Sequence, residues 1–320
     1  MKNNSKQRNS IAGAMFGVAV GDALGGPVEF MSPEDIIRRH VCVSDMIGGG
    51  WLNLAPGEIT DDTQMTLCVA EGIVENPTAP IEAIGRRFIQ WADSGPKDIG
   101  GACASSISNA KRLGGALRGT SPTAEMWEHA GKLTQDQSGR PVEGNGALMR
   151  TVYPGLFYAN NIQAELWAWR IGKMTHAGPR SNEACILYTR MVNLLTASES
   201  RPQDAQSVRD FLAEHCQAVP EYAAAVKASI VTPASGGYVV DSMRIAVGSI
   251  ATTGSFEEAV IEAVNLGGDA DTNGAITGGL AGAWYGYDAI PEAWIAALAP
   301  DVRETLNRLA DAAVAAREGR

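Results

Sequence analysis

The stretch 267–274, which reads Gly-Gly-Asp-Ala-Asp-Thr-Asn-Gly, constrains the fold of this chain more than any other. It places two carboxylates, Asp269 and Asp271, two residues apart and brackets them with glycines. The residues that follow carry few charges, so we expect the acids at the N-terminus of a buried helix. Small residues recur along that helix at Gly274, Gly278, Gly279 and Gly282. The sequence therefore predicts a central, rigid helix that packs closely against another helix and holds carboxylates at its start.

A second acidic group, Thr60-Asp61-Asp62-Thr63, lies far earlier in the chain and is also followed by a run with few charges. Aspartate is common at helix starts because its oxygen accepts free backbone N–H groups, but one side chain is enough for that purpose. Adjacent carboxylates repel each other unless a cation neutralises them. Two such groups favour a shared metal site over two unrelated helix caps, and hard oxygen ligands suit Mg²⁺ or Mn²⁺. Our interpretation is a two-metal hydrolase site assembled from both ends of the chain.

Almost every other segment has helical periodicity, and no run alternates in the manner of a β-strand. The predicted helices cover 10–24, 61–74, 80–93, 99–113, 163–174, 181–195, 206–216, 221–230, 242–250, 255–265 and 300–320, with further helix starts at 32, 121 and 144. Residues 131–144 are polar and are expected to form a surface loop, and Pro154 is expected to kink the segment that begins at 144. We predict one compact all-α domain over residues 10–320, preceded by a flexible tail at 1–9.

The composition argues against several classes of protein. The chain has 320 residues, 45% of them hydrophobic, a formal net charge of −10 and no cluster of lysine and arginine. A nucleic-acid partner is therefore not expected. Five cysteines without paired spacing indicate reduced thiols. No signal peptide is recognisable, and the most apolar windows, 11–24 and 275–285, are too short and glycine-rich to span a bilayer. The sequence predicts a soluble, cytoplasmic protein without a membrane partner.

Four further features are weaker candidates for a site. The turn Gly144-Asn145-Gly146 enters a helix, and N–H groups at such a turn attract phosphate, although an ordinary helix start explains the pattern equally well. His176 lies in a loop between helices, where histidines are mostly surface or capping residues. Glu29 and Asp98 are single acids near glycines, and such residues are more often solvated than catalytic.

Taken together, these motifs resemble the ADP-ribosylglycohydrolases, the family that includes dinitrogenase reductase-activating glycohydrolase. The two acidic motifs are the most specific part of the resemblance, which covers about residues 10–285. The matching segments occur in the family's order: 13–17, 21–25, 60–63, 98–100, 144–150, 175–176 and 267–274. The resemblance implies an all-α fold around a binuclear Mg²⁺ or Mn²⁺ centre.

The resemblance also assigns binding roles to residues of this chain. The metal ligands that it implies are Thr60, Asp61, Asp62, Asp269, Asp271 and Thr272. Asn145 and His176 match positions that line the groove for ADP-ribose. The N–H groups of Gly144 to Gly146 would hold the pyrophosphate.

The catalytic residues implied by the resemblance are Glu29, Asp98 and Asp62. Glu29 matches an acid on a mobile loop that closes over the metal site in relatives. Asp98 falls where arginine-specific relatives carry an aspartate near the scissile bond. Either Glu29 or Asp98 would transfer the proton between water and the leaving group. The threonine pair expected after Asp98-Ile99-Gly100 is absent from this sequence.

The activity expected from the resemblance is metal-dependent removal of ADP-ribose from a modified protein, with arginine favoured because of Asp98. The modification would be either regulatory or installed by a toxin, which would then be a further partner. One alternative is hydrolysis of a small conjugate such as O-acetyl-ADP-ribose at the same site. Another is a non-catalytic protein that binds ADP-ribose or has a structural role, although such a protein would be expected to lose the metal carboxylates.

Overall fold

The computed structural model describes residues 2–115, 121–197, 204–234 and 236–319. Within these ranges the fold is all-α, as predicted, and β-type pairing is limited to two isolated bridges, Gly49–Leu54 and Gly144–Tyr238. The α-helices are α1 (Lys2–Gly25), α2 (Pro33–His40), α3 (Asp61–Glu75), α4 (Ile81–Asp93), α5 (Gly101–Gly115), α6 (Ala124–Ser138), α7 (Val152–Phe157), α8 (Asn161–Lys173), α9 (Pro179–Thr196), α10 (Ala205–Cys216), α11 (Pro220–Lys227), α12 (Val239–Thr252), α13 (Phe256–Asn265), α14 (Ala270–Tyr285), α15 (Glu292–Ala297) and α16 (Pro300–Arg317). The 3-10 turns are Gly26–Val28, Asn145–Arg150 and Tyr287–Ala289.

Helices α1 and α14 form the centre of the molecule and run antiparallel to each other. Glycines face one another along their contact in three pairs, Gly13–Gly282, Gly17–Gly278 and Gly21–Gly274. A Cβ at any of these positions would overlap a carbonyl oxygen of the opposite helix. The close packing predicted for the glycine-rich helix is therefore present, and its partner is the N-terminal helix. This arrangement brings the C-terminus of α1 beside the acidic start of α14.

Helix α1 owes its apolar composition to this central position. The span Ser5–Val28 contains an 18-residue window that has a mean hydropathy of 1.4 and is apolar enough to cross a membrane, yet that window is entirely buried inside the fold. Within the described ranges, no other helix meets the same criteria of length and hydropathy. A helix that is covered by neighbours on every side has no need of a polar face.

Two boundaries differ from those expected from the sequence. Helix α1 already begins at Lys2, and Arg8 within it pairs with Asp311 of α16 at 2.8 Å. The division into a tail and a domain otherwise stays a prediction. The prediction of a loop over 131–144 was wrong in its first half, because α6 continues to Ser138. A Cβ at Gly131 would overlap the carbonyl oxygen of Lys173, so this glycine reflects tight helix packing and not a loop.

The ends of four elements meet at one end of the α1–α14 pair. Asp22, near the end of α1, accepts a hydrogen bond from the backbone N–H of Thr60, which directly precedes α3. Asn145, at the start of a 3-10 turn, donates to Asp269, which directly precedes α14. The packing of the central pair therefore places both acidic motifs and the glycine-bracketed turn in one region.

Candidate active site

Asp22 is a fully buried carboxylate that ties α1 to the first acidic motif. It accepts hydrogen bonds from the backbone N–H and the hydroxyl of Thr60, at 3.0 and 2.7 Å, and from the same two groups of Thr63. Burial raises the pKa of Asp22 to about 6, although these bonds act in the opposite direction. Because Thr60 and Thr63 flank Asp61 and Asp62, the bonds fix the position of that pair at the start of α3.

The two acidic motifs meet at the buried starts of α3 and α14. One carboxylate oxygen from each of Glu29, Asp269 and Asp271 lies within 4.8 Å of the other two, which is close enough for a single cation to contact all three. Asp62 joins this group through α14, because its Oδ2 accepts a hydrogen bond of 3.3 Å from the hydroxyl of Thr272. The structure thus brings the predicted ligands from both ends of the chain together and adds Glu29 to them.

The carboxylates of this cluster disfavour one another's charge. Burial first, and then the nearby carboxylates of Asp98 and Asp22, raise the pKa of Asp61 to about 7. Burial and neighbouring acids also raise the pKa values of Asp62 and Asp271 well above the ordinary range. The Oδ1 atom of Asp62 is buried and has no hydrogen-bond partner within the described ranges. A bound cation would relieve this repulsion and satisfy that oxygen, so the donor set fits Mg²⁺ or Mn²⁺.

The two threonines predicted as ligands both donate their hydroxyl protons to carboxylates of the site. Thr60 donates to Asp22, and Thr272 donates to Asp62. A hydroxyl oxygen that donates its proton to a carboxylate keeps its lone pairs for another interaction. These hydrogen bonds are compatible with a role of both threonines as metal ligands, and that role stays a prediction.

The loop that carries Glu29 is anchored to the second acidic motif. The backbone N–H of Phe30 donates to the carbonyl oxygen of Gly268 at 2.6 Å, and the N–H of Gly268 donates back to Met31 at 2.8 Å. Gly267 has a φ of +69°, and a Cβ there would overlap the carbonyl oxygen of Met31. Glycine is required at this position because both the left-handed backbone and the close approach exclude a side chain.

Trp51 holds Glu29 at the mouth of the site. Its indole Nε1–H donates to Glu29 Oε2 at 2.6 Å, and its ring lies 5.5 Å from that of Phe30, measured between centroids. Both rings are more than half exposed, whereas Glu29 itself is buried. Burial raises the pKa of Glu29 to about 8, and the bond from Trp51 opposes that shift. Burial therefore favours the protonated form of Glu29 when no cation is bound.

Asp98 faces the same space from the loop before α5. It is partly buried, and its Oδ1 accepts a hydrogen bond of 2.8 Å from the backbone N–H of Ile99. Burial raises its pKa despite this bond, and the charge of Asp269 adds to the increase. Asp98 is thus an acid held at the wall of the site and not a freely solvated residue.

The turn 144–146 is fixed to the second acidic motif by Asn145. The Nδ2 atom of Asn145 donates to Asp269 Oδ2 at 2.8 Å and to the hydroxyl of Ser242 at 2.9 Å. Its backbone N–H donates to the carbonyl oxygen of Gly237 at 2.9 Å. The segment that follows is a 3-10 turn ending at Arg150, and α7 begins only after it, so the single kinked helix expected from 144 is divided in two.

His176 is buried against this turn. Its Nδ1 lies 2.7 Å from the hydroxyl of Thr175, and its ring borders Gly144 and Gly146. Burial and the positive charge of Arg150 lower the pKa of His176 to about 3. The imidazole is therefore neutral at physiological pH, and the surface role that is common for loop histidines does not apply.

Two adjoining cavities connect these residues. The first has a volume of about 390 Å³, and its walls include Glu29, Asp61, Asp98, Asn145, His176 and Asp271. The second has a volume of about 740 Å³, and it shares Gly144 and His176 with the first. The carboxylate cluster therefore lines the first of two neighbouring cavities, which together are large enough for a ligand of several rings.

Two residues of this site were missed by the sequence analysis. Asp22 appeared only within a family motif, although it is the only charge in the apolar stretch 11–24 and such a charge in a buried helix signals a function. Trp51 carries no comparable signal, because its bond to Glu29 depends on the path of the loop 41–60 and not on a local pattern.

Comparisons with known proteins point to one family. The chain matches the sequence model of the family described as ADP-ribosylglycohydrolase over residues 3–320. It is 33% identical to the ADP-ribosyl-[dinitrogen reductase] glycohydrolase of Rhodospirillum rubrum, with 95% of each chain covered. It is 31% identical to the ADP-ribosylarginine hydrolase Tri1 of Serratia proteamaculans (strain 568), with 96% of this chain and 79% of that protein covered.

The fold is likewise shared with a solved structure. An ADP-ribosylglycohydrolase-related protein complex contains a chain that superposes with a TM-score of 0.78 and 30% sequence identity, covering 98% of this chain and 99% of that one. The all-α fold, the acidic site and these matches identify a hydrolase class that acts on ADP-ribosylated substrates. The chain belongs to the ADP-ribosylglycohydrolase family.

Proposed function

We propose that this protein is a metal-dependent hydrolase that releases ADP-ribose from mono-ADP-ribosylated proteins, with arginine as the favoured linkage. The observation that carries the proposal is the carboxylate cluster at the wall of a cavity that shares part of its lining with a second, larger one. The first cavity suits the ribose and the scissile bond, and the second suits the ADP portion. The printed names of two relatives, which refer to ADP-ribosyl-[dinitrogen reductase] and ADP-ribosylarginine, support this substrate class.

The carboxylate cluster would hold the cations. The proposed ligands are Thr60, Asp61, Asp62, Asp269, Asp271 and Thr272, and Glu29 completes the group that the fold brings together. When bound, Mg²⁺ or Mn²⁺ would make a water molecule more acidic and orient the hydroxyl groups of the ribose. Asp22 and Asn145 act as positioning residues, because they bind the backbone before α3 and the carboxylate of Asp269.

Cleavage separates the anomeric carbon of the ribose from a nitrogen of the arginine side chain, and positive charge develops on the sugar as this bond breaks. The carboxylates beside the first cavity stabilise that charge. Glu29 lies within the cluster, takes the proton of the attacking water as the new C–O bond forms, and passes it to the departing nitrogen as the C–N bond breaks. Asp98 lines the same cavity and pairs with the departing guanidinium group. Asp62 belongs to the same carboxylate cluster, and we therefore include it among the catalytic residues.

The ADP portion would cross from the first cavity into the second. Gly144 and Gly146 leave the space beside the turn free of side chains, so their backbone N–H groups can approach a diphosphate. The N–H of Asn145, which was expected to join them, already donates to the carbonyl oxygen of Gly237. His176 borders both cavities at this point. The cytoplasmic location and the origin of the modification, regulatory or toxin-installed, stay predictions.

A panel of linkages tests the proposal. Purified protein with Mg²⁺ or Mn²⁺ is incubated with arginine-ADP-ribosylated protein, serine-ADP-ribosylated protein and O-acetyl-ADP-ribose, and free ADP-ribose is quantified by chromatography. We expect release from the arginine linkage to be the fastest. Faster release from serine or from O-acetyl-ADP-ribose would overturn the assigned role of Asp98. If the protein binds ADP-ribose but releases it from none of the three substrates, the proposal that it is an enzyme is wrong.

Replacement of Trp51 with phenylalanine is expected to lower kcat about tenfold, because it removes one hydrogen bond to a catalytic carboxylate. The bond lowers the pKa of Glu29, so its loss should also move the acidic limb of the kcat–pH profile to higher pH. Steady-state release of ADP-ribose over a range of pH measures both effects. Trp169→Phe, on α8 and away from both cavities, is the matched control and should match the wild type. Equal kcat values and profiles for Trp51→Phe and wild type would show that the bond has no role.

Metal binding should stabilise the protein more at about pH 8 than at about pH 5. The pKa values of Asp22, Asp61 and Glu29 are raised to about 6, 7 and 8 in the fold. In the unfolded chain these carboxyl groups lose their protons at about pH 4, whereas in the metal-free fold they keep them to higher pH. The free energy of unfolding of the metal-free protein therefore decreases as the pH rises from about 4 to about 8. Mg²⁺ replaces the protons, and its stabilising effect therefore grows with pH. Thermal unfolding with Mg²⁺ and with chelator at both pH values measures this difference, and an equal increase in Tm at both would contradict it.

A further inference from the structure

Arg150 is a fully buried cation that serves as a hydrogen-bond donor and not as half of an ion pair. Its side chain is 0% exposed, and none of the ion pairs among the described residues includes it. Its guanidinium group donates to the carbonyl oxygen of Gly146 at 2.6 Å, to the hydroxyl of Thr175 at 2.7 Å and to the carbonyl oxygen of Ile171 at 3.3 Å. It also lies over the ring of Phe88, 4.9 Å from its centroid. The rigid guanidinium group of Arg150 thus links the turn 144–146 to the loop that carries His176.

The bond from Arg150 determines what Thr175 can do. A hydroxyl has one proton to donate, and the Thr175 oxygen already accepts from Arg150, so its own proton is free for another acceptor. The nearest strong acceptor is Nδ1 of His176, at 2.7 Å. The sulfur of Cys103 also lies near, but a thiol sulfur is a weak acceptor and it already receives a contact of 3.5 Å from Arg150. The 2.7 Å contact itself fits either tautomer, because the Thr175 oxygen has a second lone pair, and donation by the hydroxyl is the arrangement in which Nδ1 carries no proton.

In that arrangement the other ring nitrogen of His176 carries the proton, because the neutral imidazole has only one. The low pKa of His176 agrees with a neutral ring. A Cβ placed on Gly144 would lie 3.1 Å from Nε2, so this edge of the ring faces the glycine-bracketed turn. No hydrogen bond to Nε2 is formed within the part of the chain that the structure describes. His176 borders both cavities, and its free donor is therefore available at their junction.

We infer that Arg150 and Thr175 are positioning residues that fix His176 as an Nε2–H donor for a phosphate oxygen of the ADP-ribose diphosphate. The ligand in this inference rests on the proposed function, whereas the position of the ring proton is a property of the free protein. We assign the diphosphate because it lies between the two sugars of ADP-ribose, and His176 lies between the two cavities proposed for the parts of that ligand. The same arrangement excludes His176 as a general base at Nε2, since that nitrogen already carries the proton.

The ring proton of the unliganded protein is located by NMR on a sample labelled with ¹⁵N at histidine. In the wild type, we expect Nε2 of His176 to be protonated and Nδ1 to be the bare nitrogen, with no change between about pH 5 and about pH 8. The pair Thr175→Val and Thr175→Ser provides the test, because valine preserves the shape and serine preserves the hydroxyl. Thr175→Ser should keep the wild-type tautomer, and Thr175→Val should give a mixture of both. His176→Gln assigns the resonance, and thermal unfolding confirms that each variant folds.

Calorimetric titration with ADP-ribose and with ADP measures the consequence for binding. We expect Thr175→Val to weaken binding of both ligands about tenfold, which is the effect of one misdirected hydrogen bond, and Thr175→Ser to restore it. A proton on Nδ1 in the wild type would overturn the inference, as would equal affinities of the valine and serine variants. If the wild type binds neither ligand, the ligand assignment fails together with the proposed function, while the NMR result still decides the tautomer. The two failures are therefore distinguishable.

Discussion

Replacing Asp269 with asparagine is expected to reduce the rate of ADP-ribose release on the order of 1,000-fold. The substitution preserves the size of the side chain but removes a negative charge from the group in which Glu29, Asp269 and Asp271 approach within 4.8 Å. The amide oxygen of the new asparagine can still accept the hydrogen bond of 2.8 Å from Asn145, so the expected loss of rate reports on the charge and not on the position of the turn 144–146. Single-turnover release from arginine-ADP-ribosylated protein measures the rate, and calorimetric titration with Mn²⁺ measures the accompanying loss of metal affinity.

The control for this variant is Asp301→Asn. Asp301 is exposed in the first turn of α16, so the same change of charge there should leave the release rate unchanged and cost only a few tenths of a kcal/mol of stability. A release rate for Asp269→Asn within about threefold of the wild type would contradict a role of this carboxylate in holding the cations.

Replacing Gly278 with alanine is expected to destabilise the protein by about 3 kcal/mol. Alanine in place of glycine within a helix ordinarily adds up to about 1 kcal/mol of stability, so the expected sign is reversed. The reason is that a Cβ at Gly278 would overlap the carbonyl oxygen of Gly17, and backbone atoms cannot move aside as a flexible side chain can. Separation of α1 from α14 would also shift Asp22 and the start of α3, so metal affinity should fall together with stability.

Equilibrium unfolding by urea measures this loss of free energy. Gly115→Ala is the matched control, because Gly115 ends α5 and a Cβ there meets no atom within 4 Å. That variant should be as stable as the wild type or slightly more stable. If Gly278→Ala were no less stable than Gly115→Ala, the contact between the two central helices would be looser than described.

The sequence allowed the fold class and the main parts of the site to be predicted because both depend on local patterns. The acids at 61–62 and 269–271 stand before helices, and the glycines after 273 require a close helical neighbour. The identity of that neighbour was not predicted, since nothing in the spacing of Gly13, Gly17 and Gly21 names a partner so distant in the chain. Long-range pairings of this kind follow from the complete packing arrangement and not from any one segment.

The contacts that orient the site were the least predictable. The bond from Trp51 to Glu29 and the bonds from the Thr60 segment to Asp22 join loops to helices that are separate in the sequence. Residues 131–144 were predicted to form a loop because they are polar and contain glycine and proline, whereas the tertiary contact with Lys173 explains the glycine at 131. In each case the residue type was visible, but its partner was supplied by tertiary structure.

The most direct test of the central claim is the release of ADP-ribose from an arginine-ADP-ribosylated protein before and after removal of divalent cations. The wild-type protein is assayed with Mg²⁺ or Mn²⁺, after treatment with EDTA, and after the cation has been restored. We predict release with the cation, loss of release on chelation and full recovery on restoration. Undiminished release after chelation, or no release with either cation, would contradict a cation-dependent hydrolase at this carboxylate cluster.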